Sequence, residues 1–436
     1  MEQIGFDPAD ARGALDQLPT SPAVFALYGA EAHAEPYIGR TLNLRGRLER
    51  LLQPSAKHPR RLQLAGRVRR IAWRLTGSDF ESLLAQFSLL EEIYDAKALE
   101  RMHLRHPAFV RYLGSNRFPR ITVTHRPSQR EADWAYGPFA SRAAAERFAD
   151  EALKLFLLRR CTEELDPHPD HPGCVYSEMK MCLAPCYKGC TDERYAEEAA
   201  AVESFLSTRG ESRLVVLRGE REEASARLQF EEAAAIHAQV QRVEGIRALA
   251  PELVRPLSRL RAVILQASAD PDEVAVFLYQ EGRLRGPAGF STVGMRIQNE
   301  QSGSTSLFAQ PMALEPIPEA PAPEVPAPDA PLPELRSPET PAIEAVPEAP
   351  VRAARGVLEA RMEDALAALT ESAGPPSASV RQGHLALLKR WYYRPEVRRV
   401  GEVFFPEDDG RWPVKAMLRG VGRVFAGKIK AQVSGS

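Results

Sequence analysis

Residues 23–29 read AVFALYG and residues 36–48 read PYIGRTLNLRGRL. The first is a short β-like run, and the second leads out of another into a helical stretch over residues 42–52. A helical stretch at 79–94 and a β-like run at 121–124 continue the alternation, so residues 16–125 read as one small domain of mixed α and β. Beyond it, residues 141–160 look helical, with Ala, Leu and Phe recurring on one face. A Cys-bearing, Pro- and His-rich loop over 161–190 follows, which marks 126–200 as a Cys-rich region. Residues 192–248 are rich in Ala, Glu and Arg with apolar positions at helical spacing. They predict two or three helices packed as hairpins, with one hairpin over 201–250.

Further out, apolar runs at 262–267 and 274–279, then Gly282 and a run at 288–291, predict a small antiparallel unit within 255–300. Over 309–352 proline recurs every few residues and large apolar side chains are almost absent. Such a stretch buries too little surface to fold and is expected to be a disordered, polyproline-like linker. Residues 353–436 form a short C-terminal region. Helical stretches are expected there at 356–371 and 384–393, then a short basic tail from 397. The fold class is α+β.

At 436 residues with 44% hydrophobic content, the chain supplies cores for several domains. No stretch approaches the roughly 20 apolar residues of a membrane span, and the N-terminus lacks a basic start before an apolar run, so a soluble cytoplasmic protein without a membrane partner is expected. The formal charge of -1 hides a local asymmetry. Between Arg40 and Arg74 the cations crowd together, and Glu49 is the lone acid. That density suits salt-sensitive contact with phosphates.

The two quoted segments resemble the signature strands and following helix of the GIY-YIG nuclease family, in the version found in the UvrC excinucleases. Tyr37, Gly39, Asn43, Leu44, Arg45 and Arg47 fall at the family's spacing. The resemblance implies a metal-dependent endonuclease fold for 3′-side incision in nucleotide excision repair. Tyr37 is then the water-activating tyrosine and Arg47 the phosphate-facing arginine. A metal and an arginine offset charge building on phosphoryl oxygens while a base orients water. Arg40 takes the place of the family's lysine, and Phe25 that of the first-strand tyrosine, without its hydroxyl. Gln86 stands where a glutamate holds the divalent cation, and a neutral amide is a poor ligand for Mg²⁺ or Mn²⁺. Val110 matches the family's late asparagine. Tyr37, Arg40 and Arg47 are expected to present themselves together toward double-stranded DNA, flanked by Asn43, Arg45, Arg50, Arg60, Arg61, Arg67 and Arg70.

All five cysteines fall between Cys161 and Cys190, in a chain without an export signal. In a reducing compartment this clustering favours a thiolate-bound metal over disulfides, and spacing alone leaves zinc and an iron–sulfur cluster both open. The stretches FLLRRC and GCVYSEMKMCLAPCYKG resemble the UvrC cysteine pattern. That resemblance implies an iron–sulfur cluster on Cys161, Cys174, Cys182 and Cys186, with Cys190 a bystander. Further on, RLQFEEAAAIHAQVQRV resembles the UVR motif, with Leu228, Phe230, Glu231, Ala233 and Ala234 matching, and His237 and Ala238 in place of an Arg-Asp pair. It implies a helical hairpin that docks on UvrB, with Phe230 buried between hairpins by small alanines. The three resemblances occur in family order over residues 20–250. Neither a full second nuclease domain nor a tandem helix-hairpin-helix tail is expected from these residues. Two other functions fit the same features: a non-catalytic UvrB- and DNA-binding adaptor, and a metal-cluster regulatory protein.

Overall fold

The computed structural model describes residues 1–31, 34–53, 64–293, 295, 349–370, 374 and 376–434. The chain opens with β1 (Glu2–Gly5), α1 (Ala11–Asp16), β2 (Ala23–Gly29), β3 (Tyr37–Thr41), α2 (Leu44–Leu52), β4 (Val68–Leu75) and α3 (Asp79–Tyr94). The strands form an antiparallel sheet in the order β1-β4-β2-β3. Side chains alternate across a strand, so the sheet has two differently dressed faces. Ala23, Phe25 and Leu27 join Leu44, Leu48, Leu51 and Leu52 of α2 in one core. Val24 and Ala26 turn the other way, toward Leu89 of α3. Asn43 starts α2 by accepting a hydrogen bond from the Gly46 amide at 2.8 Å. Ser78 caps α3, and Glu81 reaches back to the Gly77 amide at 2.8 Å.

The second unit begins after α4 (Ala98–Arg101) with β5 (Ala108–Tyr112), β6 (Ile121–Thr124), β7 (Ala135–Phe139) and α5 (Arg142–Leu153). After α6 (Val175–Glu178), α7 (Asp192–Ser207), α8 (Glu211–Ala226) and α9 (Phe230–Ala248), the strand β8 (Arg255–Pro256) closes a sheet ordered β6-β5-β7-β8. A boundary at residue 125 would cut this sheet, because β5 pairs with both β6 and β7. Tyr112, Tyr136, Phe139, Phe148 and Phe205 are among the residues that fill its core.

The third unit contains β9 (Ala262–Ala267), β10 (Glu273–Gln280), β11 (Arg283–Ser291), α10 (Ala349–Thr370), α11 (Ala378–Tyr392), β12 (Glu402–Phe404) and α12 (Val414–Ser434). Its antiparallel sheet is ordered β11-β10-β9-β12. Both faces are covered, which explains near-continuous apolar runs where one-sided burial would give alternation. Val263, Leu265, Val274, Val276 and Leu278 meet α10 and α12. Ile264, Ala275, Phe277 and Tyr279 meet Phe80, Leu84 and Phe87 of α3 and Leu388 and Trp391 of α11. α3 is therefore packed against the first sheet on one side and the third on the other. The C-terminal region is not set apart with a short basic tail, as the sequence led us to expect. It supplies the fourth strand and three covering helices, because the 255–300 strands are apolar on both faces and need cover. The linker expected over 309–352 lies outside the described residues, save its last four positions, which begin α10. Among the described residues no helix is long and apolar enough to cross a membrane.

Candidate functional site

β3 carries Tyr37 opposite Leu27, Gly39 opposite Phe25, and Arg40 opposite Val24. Tyr37, half-buried, lies on the α2 side with the Phe25 ring centroid 6.2 Å away. Phe25 is fully buried, and a Cβ on Gly39 would stand 2.7 Å from its ring, so glycine is required at that crossing. Arg40, three residues past Tyr37, turns to the opposite face. The expectation that Tyr37, Arg40 and Arg47 present together is corrected here: an odd offset in a strand reverses the face. Tyr37, Phe25 and Arg47 belong to the α2 side, whereas Arg40 and Gln86 belong to the α3 side.

On that side Arg40 pairs with Asp79, the first residue of α3, and Arg394 donates to the other Asp79 oxygen at 2.5 Å. Burial pushes Asp79 up, but the Arg394 hydrogen bond and the Arg40 charge outweigh it and hold the carboxyl below its usual value. A cleft of about 570 Å³ beside this triad is lined by Thr41, Ser82 and Trp391 among others. Glu81 is buried with its carboxyl pushed up by desolvation against the opposing Gly77 amide. Both carboxylates near the start of α3 are thus committed to protein partners, and Gln86 is half-buried. Val110 is fully buried in β5, between Val123 and Tyr136, in the core of a different sheet.

Several cations in the basic segment hold structure together. Arg45 donates to the Leu18 and Asp16 carbonyls, both at 2.7 Å, tying α2 to the end of α1. Arg50 donates to the Gly46 carbonyl. Arg70 donates to Gln3 and stacks 3.9 Å above the Tyr28 ring. Asn43 is the helix cap described above. Arg67 is exposed. Arg60 and Arg61 lie outside the described residues.

The cysteine loop is built on backbone conformations that side chains rarely adopt. Lys180, Ala184 and Lys188 all have φ between 53° and 58°. Such residues persist only where their surroundings over-determine them. Burial pushes the Cys182 thiol up, while the Ala184 amide directed at it pulls down and the neighbouring Cys174, Cys186 and Cys161 add to the rise. Cys186 is likewise raised by burial, opposed by the Tyr187 amide and reinforced by Cys174 and Cys161. Cys190 senses Asp192, Arg194 and Cys186. Among the described residues, no group of three or more His, Cys, Asp or Glu stands in metal-holding geometry.

At the α8–α9 turn Leu228 has φ 61° and is 71% exposed, and Phe230 is 67% exposed. Ala233 is half-buried and Ala234 exposed on the same turn. Among the described residues nothing covers Leu228 and Phe230 at the hairpin tip.

Sheet, cysteine loop and helices together define a mixed α/β protein whose residues 109–205 match the middle domain of UvrC/Cho excinuclease. The chain is UvrC-like. It is 29% identical over 225 residues to UvrABC system protein C of Alcanivorax borkumensis, covering 52% of this chain and 37% of that one. It is 26% identical over 297 residues to the same protein of Ruminiclostridium cellulolyticum, covering 67% and 48%. With that of Pseudomonas entomophila it shares 28% over 233 residues, covering 53% and 38%. The chain thus spans less than half the length of these curated relatives. No solved structure matches it.

Proposed function

We propose that the chain is a UvrC-like subunit of nucleotide excision repair that binds damaged duplex and a UvrB-like protein, with 3′-side incision weakened at its own nuclease site. The middle-domain match over 109–205 carries this proposal. A GIY-YIG-type unit precedes that match in the chain and a UVR-type hairpin follows it. Support for a UvrB-like partner comes from the bare apolar tip at Leu228 and Phe230, which gains about 25 cal/mol per Å² of apolar surface when a second hairpin covers it. Weakened incision follows from the donor set: Gln86 offers a neutral oxygen, Asp79 is neutralised by two arginines, and Glu81 is tied to Gly77. Tyr37 and Arg47 are the groups assigned to face the strand.

The test incubates the protein with UvrA, UvrB, Mg²⁺ or Mn²⁺, and an end-labelled damaged duplex. We expect it to join the UvrB–DNA complex and to nick near background. Failure to join the complex overturns the repair function. Rapid nicking by the unaltered protein overturns only the weakened site.

We further propose that Cys161, Cys174, Cys182 and Cys186 hold an iron–sulfur cluster. Their clustering within one short loop, and the backbone amides directed at Cys182 and Cys186, suit soft metal ligation. A bound cluster would cross-link the loop rigidly between α5 and α7. Protein purified without oxygen should contain iron and acid-labile sulfide, and Cys182→Ser should lose both. Stoichiometric zinc without sulfide would replace the cluster by a structural zinc site, and no metal at all would remove the centre.

A further inference from the structure

A cleft of about 410 Å³, lined by neither the cysteine loop nor Tyr37, opens where the end of α7, the β8 segment and the loop at 406–410 meet. Four arginines line it: Arg209, Arg255, Arg259 and Arg261. None makes an ion pair among the described residues. The Nε atoms of Arg209 and Arg261 are buried without a hydrogen-bond partner. Leaving a buried donor unpaired costs about 1–3 kcal/mol. Glu407 and Asp408 share the rim, but two carboxylates cannot neutralise four guanidinium groups, and neither is paired with one.

The arginines are also held in place. Arg255 stacks 4.7 Å from the Phe405 ring centroid and donates from Nε to the Glu252 carbonyl at 3.0 Å. Arg261 stacks 4.9 Å from the Trp412 ring centroid. Arg209 adopts φ 53°, a left-handed conformation uncommon outside glycine and found at functional sites. Burial, with the Arg209 charge beside it, pushes the Arg255 guanidinium below its ordinary value. Like charges are being held together at a cost that a multiply charged anion would relieve. A tetrahedral phosphate accepts from several guanidinium forks at once, more fully than a single carboxylate.

We propose that this cleft binds a phosphate group, supplied either by a nucleic-acid backbone or by free phosphate. No repair activity is needed for it, and the two sources are separated by experiment. The double variant Arg209→Gln/Arg259→Gln is compared with unaltered full-length protein and with Arg117→Gln/Arg142→Gln, which removes the same charge elsewhere. Binding of a fluorescein-labelled duplex is measured against salt, and melting temperature against inorganic phosphate. A backbone site predicts about tenfold weaker duplex binding by the cleft variant alone, with a log–log salt slope shallower by about 1–2, near 0.9 for each phosphate no longer neutralised. A free-phosphate site predicts a phosphate-dependent rise in melting temperature that the cleft variant loses. If unaltered protein binds no duplex yet is stabilised by phosphate, the cleft stands and the DNA function falls. Equal duplex binding by both variants, with no phosphate effect on melting, overturns the cleft.

Discussion

Replacing Trp391 by alanine is expected to cost about 3–5 kcal/mol of folding stability, the range for removing a large ring from a core. The side chain is 1% exposed, and its ring stands 5.4 Å from Phe80 of α3, which in turn meets Phe277 of β10 edge-on at 5.2 Å. Its indole N–H donates to the Val400 carbonyl at 3.0 Å. One residue of α11 thus joins α3 to the third sheet, and α3 backs β2 and β3. Trp391→Phe keeps most of the apolar surface and gives up the hydrogen bond, so its loss should stay near 1 kcal/mol plus the cost of the smaller ring. Urea unfolding followed by circular dichroism checks both. An alanine variant within about 1 kcal/mol of the unaltered protein would mean that α3 and the third sheet do not share a core. Because the same helix carries Gln86 and Asp79, the alanine variant should also loosen the Arg40–Asp79–Arg394 triad.

One strand of the first sheet and the helix behind it stand where their sequence pattern puts them: β2 as Ala23–Gly29 and α3 as Asp79–Tyr94. Their apolar residues repeat at the strand or helix period with polar breakers between. The separation of Arg40 from Tyr37 was also available in the sequence, since three residues along a strand always reverses the face. Family spacing fixes which residues match, whereas strand alternation fixes which face each one takes. Arg45 and Asn43 show a different limit. Their residue types suit phosphate contact, yet each is consumed by a backbone partner, and the positions of Leu18, Asp16 and Gly46 reveal this.

The role of the C-terminal region was hidden for a topological reason. β12 pairs with β9 across more than 130 residues of chain, and no local pattern records such a partner. The runs at 262–267 and 274–279 did carry the signal, because apolar residues at both parities demand cover on both faces. Glycine shows the same blindness to distance. Gly383 lies within α11, and a Cβ there would stand 2.0 Å from the Phe87 ring. The close approach of α11 to α3 requires it.

His384 makes this seam sensitive to acid. It is 4% exposed, meets the Phe87 ring edge-on at 5.4 Å, and accepts a hydrogen bond at Nδ1 from the Leu284 amide at 2.9 Å. That bond fixes the neutral ring with its proton on Nε2, which has no partner. Burial, then the nearby Arg283 charge, push its pKa down to about 3. Above the ordinary histidine value near 6.5 the ring is neutral in folded and unfolded chains alike, so stability is at its full value. Below it the unfolded chain takes up a proton that the folded chain refuses, and stability falls until the folded ring titrates near 3. At about 1.4 kcal/mol for each pH unit between those values, the loss approaches about 5 kcal/mol. His384→Gln keeps an acceptor for Leu284 and does not titrate. Its stability at neutral pH should be lower, by about 1–3 kcal/mol for imperfect packing, but the decline between pH 6.5 and 3 should be correspondingly shallower. Parallel acid-dependent losses in the two proteins would show that the ring at the α3–α11 seam is already protonated, or already wet, in the folded state.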